Sequence, residues 1–196
     1  MTSTLATATR LTTLAGLWAP PRQRISSART SGPRVAALLK AAPLTPGSLN
    51  ADLGGGAFDL GTDFLATRQV TNLIYDPFNR SSAHNEDTVC RIRRGQAHSV
   101  TVANVLCVIR EPAARLQLIR QAADAIGDHP ARFAFFSVYF DRKRTRGLTP
   151  YGWQEHRPLS TYAPEVGTVF SEVALHGDIL CASRPRASLS LRARRP

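Results

Sequence analysis

Three consecutive glycines, Gly54, Gly55 and Gly56, follow a short run that ends in Asp52-Leu53. Glycine adopts positive φ angles without strain and lets a backbone approach a ligand closely. A helix is expected to begin near Asp59, and its unpaired N–H groups would point towards the same place. The segment therefore predicts a strand, a ligand-binding loop and a helix in succession. An ordinary flexible loop is the alternative interpretation of these glycines.

A second acidic residue stands in a matching place about twenty residues further on. Residues 70–76 form an apolar, β-type run that ends in Asp76. In dinucleotide-binding folds, a carboxylate at the end of the second strand accepts hydrogen bonds from the ribose hydroxyls of an adenosine. Asp76 is therefore a candidate ribose ligand. Its structural alternative is a cap for the turn that follows, because aspartate is favoured at such positions.

The pattern acid-x-Gly-x-Gly, matched by Asp52, Gly54 and Gly56, resembles the first motif of class I S-adenosylmethionine-dependent methyltransferases. The resemblance covers roughly residues 48–183, and the third glycine of the fuller motif falls on Phe58. It implies an α/β, Rossmann-like methyltransferase fold with a mostly parallel sheet. It also implies S-adenosylmethionine as the cofactor, bound by Asp52, Gly54, Gly55, Gly56, Asp76, Pro77 and Asn104.

A Rossmann dehydrogenase is the rival interpretation, since it also has a glycine loop and a ribose-binding acid. Its pattern Gly-x-Gly-x-x-Gly, started at Gly54, requires glycine where Asp59 stands. A carboxylate there would repel a pyrophosphate, whereas S-adenosylmethionine has no phosphate and carries a sulfonium cation. The residue chemistry therefore favours the methyl donor.

The order of predicted elements supports a parallel sheet that ends in an antiparallel hairpin. Strand-like runs alternate with helical patterns, which is typical of a parallel sheet covered on both faces. The tight turn at residues 176–178 requires antiparallel pairing. Only 22 residues separate Asp76 from Ser99, which is room for one helix, so the family's third strand is expected to be shortened or missing. The predicted strands are 48–53, 70–76, 99–106, 132–139, 168–175 and 179–183, and the predicted helices are 60–67, 83–94 and 113–126.

The formal net charge of +11 is carried by the two ends of the chain. Six basic and no acidic residues lie in 1–50, and five basic residues lie in 184–196, which leaves 14 basic and 14 acidic residues between them. We expect a disordered basic arm at 1–46, one methyltransferase-like domain at 47–183 and a disordered basic tail at 184–196. A nucleic-acid partner is predicted only through these tails.

Neither a metal site nor a membrane span is predicted. Three isolated cysteines and five histidines show no metal-ligand spacing, and no disulfide framework is indicated. The uncharged run at 11–19 is too short to span a bilayer. An acid-poor N-terminus also resembles a transit peptide, but arginine is enriched along the whole chain, so a cytoplasmic protein is expected.

Methyl transfer from a sulfonium depends mainly on positioning, so no catalytic residue is predicted. Asn104 ends a strand at the edge where ligands of α/β sheets collect. His156 is a candidate general base only because of its near-neutral pKa. His84 and Asn85 are candidate cofactor contacts or helix-surface residues. Aromatic side chains that could shape an acceptor pocket, beside a basic turn at 142–146 that could equally be solvated, are Tyr139, Tyr151, Trp153, His156 and Tyr162.

The sequence thus predicts an S-adenosylmethionine-dependent methyltransferase that acts on an unidentified methyl acceptor. Two alternatives stay open. One is a non-catalytic binding module with the same fold, favoured by the compressed region before Ser99. The other is a nicotinamide-dependent oxidoreductase.

Overall fold

The computed structural model describes residues 45–95, 97–150 and 152–186. Within these ranges the chain forms eight strands and four α-helices. The strands are β1 Leu49–Leu53, β2 Thr71–Tyr75, β3 Ser99–Ala103, β4 Phe133–Ser137, β5 Gly147–Thr149, β6 Gly152–Gln154, β7 Phe170–His176 and β8 Ile179–Pro185. The helices are α1 Leu60–Ala66, α2 Ser82–Gly95, α3 Pro112–Ile126 and α4 Ala163–Gly167, with 3-10 turns at Leu106–Val108 and Leu159–Tyr162.

Six strands form one sheet in the order β2-β1-β3-β4-β8-β7. The β1–β2, β1–β3 and β3–β4 pairs are parallel, and the β4–β8 and β7–β8 pairs are antiparallel. The predicted fold class, a mostly parallel sheet with a C-terminal antiparallel hairpin, is therefore confirmed. A Rossmann dehydrogenase would be expected to end on a parallel strand.

The connection between β2 and β3 contains α2 and no strand, as the 22-residue spacing predicted. Side chains of α2 make hydrogen bonds to the backbone of β2 that a neighbouring strand would otherwise make. Thr88 Oγ1 donates to the Ile74 carbonyl oxygen at 3.1 Å, and His84 Nε2 lies 2.9 Å from the same atom. Asn85 bonds both backbone groups of Asp76, at 2.9 Å to N and 3.1 Å to O. The outer edge of β2 is thus capped by a helix, one of the ways in which proteins protect sheet edges.

The two faces of the sheet differ in character because successive side chains of a strand point to opposite faces. One face packs its apolar side chains into the main core with residues of α2 and α3. The other face carries a buried polar network along β1, β2 and β3. Asn50 donates to Asn72 Oδ1 at 2.8 Å and to Thr101 Oγ1 at 3.1 Å, and Ser99 donates to Asn50 Oδ1 at 2.7 Å. Asn50, an unusual strand residue, is tolerated because these partners satisfy its amide.

A partly buried ion pair joins α3 to α4. Arg115 Nε lies 2.7 Å from Glu165 Oε2, Arg115 Nη2 lies 2.9 Å from Oε1, and Arg157 Nη2 adds a contact of 2.7 Å to Oε1. Arg115 Nη1 also donates to the carbonyl oxygens of Ile109 and Arg110. Although burial alone would raise the pKa of Glu165, the two guanidinium groups hold it below its ordinary value. Helix α3 therefore buries an arginine among its mostly apolar buried residues.

Several predicted boundaries differ from the observed ones. The strand predicted at 99–106 ends at Ala103, because Asn104 takes a left-handed φ of 60° that no strand accommodates. Strand β8 continues through Pro185, two residues past its predicted end, where Arg184 pairs with Glu172 at 2.8 Å. The short β5–β6 hairpin was not predicted at all.

The predicted arms at 1–46 and 184–196 fall mostly outside the described residues, as does Tyr151. In the described part of the chain, no helix combines the length and the apolar character needed to cross a membrane.

Candidate functional site

Three parallel strands, β1, β2 and β3, end at one edge of the sheet and bring the predicted acidic residues and glycines together. Asp52 lies near the end of β1, the glycine loop follows it, and Asp76 follows β2 directly. Gly54 N donates to the Tyr75 carbonyl oxygen at 2.7 Å, and Gly56 N donates to Asp76 Oδ2 at 2.9 Å. The loop therefore spans the ends of β1 and β2.

The glycine loop depends on the absence of side chains. Gly54 and Gly56 both have a φ of 80°, a conformation that glycine adopts readily. A Cβ atom on Gly54 would lie 2.5 Å from Val105 Cγ2, and one on Gly55 would lie 2.5 Å from Asp52 Oδ2. The loop is therefore packed closely between Val105 and the carboxylate of Asp52, and the interpretation as an ordinary flexible loop does not fit these contacts.

Asp52 is a buried carboxyl group, only 2% exposed. Its Oδ1 accepts a hydrogen bond of 2.9 Å from Thr101 Oγ1 on β3. Burial raises the pKa of Asp52 to about 6, and the negative charge of Asp76 acts in the same direction, whereas the Thr101 bond opposes it. No described lysine or arginine lies within ion-pair distance of this carboxylate. A cation bound beside it would therefore be stabilised.

Asp76 is buried and accepts hydrogen bonds from four donors of the chain. Oδ1 accepts from the backbone N–H groups of Phe78 and Asn79 at 2.9 and 3.0 Å. Oδ2 accepts from Gly56 N at 2.9 Å and from Asn79 Nδ2 at 3.0 Å. Asp76 thus caps the following turn, which includes the half-buried Pro77, and its carboxylate also anchors the glycine loop. A ribose diol would reach it by replacing the donors on Oδ2.

Arg80 lies across the glycine loop. Its Nε donates to the Gly56 carbonyl oxygen at 2.8 Å, and its Nη2 contacts Asp59 Oδ1 at 2.8 Å. The predicted helix start near Asp59 is confirmed, since α1 begins at Leu60, but the Asp59 side chain makes no cap bond there. Arg80 was missed in the sequence because it stands in a loop, where nothing in the local pattern shows what its side chain reaches.

Asn104 lies where β3 ends, with its backbone N–H donating to Ser137 O at the end of β4 at 2.9 Å. Its φ of 60° is uncommon outside glycine, although asparagine tolerates it better than most residues. Its side-chain Oδ1 is buried and has no hydrogen-bond partner in the part of the chain that the structure describes. Such atoms carry a free-energy cost unless a ligand or water satisfies them.

The segment that contains His156 lies against the same two strand ends. Glu155 N donates to the Cys107 carbonyl oxygen at 2.7 Å, just beyond Asn104, and the His156 ring lies 5.9 Å from the Tyr139 ring in an edge-on contact. His156 Nδ1 is likewise buried and has no partner among the described residues. Two buried polar atoms without described partners therefore lie near the ends of β3 and β4.

Two other residues of the predicted acceptor pocket, Trp153 and Tyr162, lie in different environments. Trp153 lies beneath the guanidinium of Arg110, at 5.0 Å from the ring centre. Tyr162 is fully buried in the core under Arg157, at 3.7 Å, so it does not line an open pocket. In the basic turn, Arg144 and Arg146 pair with Asp141 and Glu155 at 3.2 and 3.9 Å.

His84 and Asn85, which were candidate cofactor contacts or helix-surface residues, bond the backbone at the outer edge of β2 as described above. Thr101 is a residue that the sequence analysis missed, although a threonine opposite Asp52 in a buried strand is a usable signal once the strand pairing is known. In the part of the chain that the structure describes, no group of three or more histidine, cysteine, aspartate or glutamate side chains is placed to hold a metal ion.

No model of a known protein family matches the sequence, and no curated protein matches it. Among solved structures, the chain is similar to an O-methyltransferase family protein from Burkholderia thailandensis, with a TM-score of 0.46 and 20% identity over 70% of this chain. It spans about half of that protein, 51% of its length. It is also similar to the glycopeptide N-methyltransferase MtfA, with a TM-score of 0.49 and 12% identity over 94% of this chain and 100% of that one. Likeness at this level carries no information about substrate.

Proposed function

We propose that this protein is an S-adenosylmethionine-dependent methyltransferase. One observation carries the proposal: two buried aspartates at the ends of adjacent parallel strands flank a loop in which two glycines have a φ of 80°. The mostly parallel sheet with its terminal antiparallel hairpin agrees with the fold that the motif's resemblance implies, without the family's third strand. The three free cysteines agree with a reducing, cytoplasmic location, which is part of the proposal.

The residues fit the methyl donor in charge and in hydrogen bonding. Asp52 is a buried carboxylate with no ion-pair partner among the described residues, and it suits the ammonium of a methionine moiety. Gly54, Gly55 and Gly56 give access to the peptide backbone. Asp76 Oδ2 can exchange the Gly56 and Asn79 donors for the two hydroxyls of a ribose. When bound, S-adenosylmethionine supplies a methyl group activated by a sulfonium.

The protein's own contribution to the transfer is to hold the two reactants in line and to exclude water. We place the acceptor beside the ends of β3 and β4, where Asn104 Oδ1 and His156 Nδ1 are buried and have no partners among residues 45–95, 97–150 and 152–186. Asn104 Oδ1 accepts a hydrogen bond from an N–H or O–H group of the acceptor. The acceptor itself is a molecule that offers such a group.

Calorimetry with S-adenosylmethionine tests the proposal, using the full chain, the variant Asp52→Asn and the matched control Asp63→Asn. Asp63 is exposed on α1, so the control should bind as the native protein does. We expect saturable binding that Asp52→Asn weakens at least tenfold, because a charge-assisted bond contributes about 1.5 to 3 kcal/mol. Formation of S-adenosylhomocysteine in the presence of cell extract then tests catalysis. Absence of binding to the native protein would refute the proposal.

A second candidate, a non-catalytic module of the same fold, is favoured by the bonds that already satisfy Asp76 and by Arg80 across the loop. Such a module would keep these contacts permanently. This candidate predicts that no S-adenosylhomocysteine forms with any extract, although a melting curve shows that the native protein is folded. Binding without turnover supports this candidate, and binding with turnover excludes it.

A further inference from the structure

A half-open cavity of about 170 Å³ lies between α2 and α3 on the apolar face of the sheet. Leu53, Val89, Ile92 and Ala125 form its apolar walls. A buried cavity of about 150 Å³ with aliphatic walls holds a benzene molecule, so a six-membered ring fits a space of this size. The dimensions and the walls therefore suit a small ring.

Two opposite charges also line the cavity, Arg93 on α2 and Asp124 on α3, and both residues are exposed to solvent. They are not joined to each other, and neither side chain forms an ion pair or a side-chain hydrogen bond with another described residue. Partial burial raises the pKa of Asp124, while Arg93 and Arg120 act against this rise. An arginine offers only donors and an ionised aspartate only acceptors. A neutral amide, which has one carbonyl and two N–H groups, complements both.

We propose that this cavity binds a small ring-shaped molecule that carries an uncharged carboxamide or a similar donor–acceptor group. The ring lies between α2 and α3. The carbonyl oxygen accepts from Arg93, and the amide N–H donates to Asp124. Apolar pockets with a few converging polar groups are the usual form of small-molecule sites.

The cavity is separate from the glycine loop, although it is next to it along the chain. Leu53 directly precedes Gly54, and the Leu53 side chain lies in the main core, on the face opposite Asp52. The inference therefore does not rest on the proposed methyl transfer, and the protein can bind the ring whether or not it binds S-adenosylmethionine.

Benzamide is the probe for this site, followed by amide chemical shifts in the isotope-labelled full chain, with toluene as the probe that lacks the polar group. We expect saturable shifts at Val89, Ile92, Gln121 and Ala125, and at least fivefold tighter binding of benzamide than of toluene. Absence of saturable binding, or shifts centred elsewhere, would overturn the proposal. Equal affinity for the two probes would overturn the role of Arg93 and Asp124.

Two variants and a control locate the site. Ala125→Leu fills the cavity and should abolish binding of both probes, whereas Ala113→Leu, exposed on the same helix, should not change it. Asp124→Ala leaves the space open and should weaken benzamide at least fivefold while leaving toluene unchanged. If Ala125→Leu melts well below the native protein, Asp124→Ala decides alone. Native affinity of benzamide in Asp124→Ala would contradict the assignment.

Discussion

At the scale of single residues, Asp52 couples the site to pH. Burial raises its pKa from 3.8 to about 6, so the folded protein keeps a proton over this range that the unfolded chain has lost. The free energy of unfolding therefore falls as the pH rises from about 4 to about 6, by on the order of 3 kcal/mol, and stays lower above pH 6.

Asp52→Asn removes the titrating group and keeps an oxygen that can accept the Thr101 hydrogen bond. We expect the variant to be more stable than the native protein at pH 7.5 and to lack the loss of stability between pH 4 and 6. Denaturant unfolding at a series of pH values measures both effects. Parallel pH profiles for the two proteins would show that the assignment to Asp52 is wrong.

Asp76 contributes to the stability of the fold and, in the proposed function, to cofactor binding. One substitution affects both. Asp76→Ala removes the acceptor of four hydrogen bonds and leaves the buried Gly56 N–H without its partner. We expect a loss of stability of about 2 kcal/mol and at least tenfold weaker binding of S-adenosylmethionine. Asp76→Asn, which keeps one acceptor oxygen, should lose less stability. Thermal unfolding and calorimetry check the two parts, and unchanged affinity in Asp76→Ala would reject the ribose assignment.

At the scale of elements, α2 stabilises the sheet through side chains that replace a strand. Thr88→Val keeps the shape of the side chain and removes one of the two groups that contact the Ile74 carbonyl oxygen, and we expect a loss of about 1 kcal/mol. Asn85→Ala removes both bonds to the Asp76 backbone, so it should cost more and should also weaken cofactor binding. Glu86→Ala, exposed on the same helix, is the control and should leave both quantities unchanged.

The helices and strands were predictable where a pattern of apolar residues extends over many positions. The alternation of apolar strands with helices, and the tight turn at Gly177, were sufficient for the parallel sheet and its antiparallel ending. Three-residue strands such as β5 and β6 have too few positions to show alternation. The end of β3 was not predictable, because the apolar residues Val105 and Leu106 continue the strand pattern beyond Asn104. The left-handed φ of Asn104 ends the strand.

At the scale of the whole molecule, the Arg115–Glu165 pair joins two distant parts of the chain. Glu165→Ala leaves the Arg115 guanidinium, whose side chain is 6% exposed, buried beside no carboxylate. We expect a loss of about 3 kcal/mol or more, because an unpaired buried charge is costly. Asp87→Ala breaks an ion pair with Arg91 in which both side chains are at least half exposed, and its loss should stay within about 1 kcal/mol. Equal losses in the two variants would contradict the difference in burial.

The candidate site was predictable to the extent that it depends on strand ends. Asp52, the glycines and Asp76 were expected together, because parallel strands end at the same edge of a sheet. Three other features were not predictable: the hydrogen bonds between Asp76 and Asn79, the contact of Arg80 with Gly56 and the burial of Arg115. They depend on where loops and helices return in space, and local sequence patterns do not encode that.

The helix that follows β2 holds the backbone of Asp76 and covers the margin of the sheet with one set of side chains. Fraying of its first two turns would let the Asp76 backbone shift and, at the same moment, uncover peptide groups able to pair with another chain. Under the proposed function, loss of nucleoside affinity and a tendency to self-associate should therefore appear together.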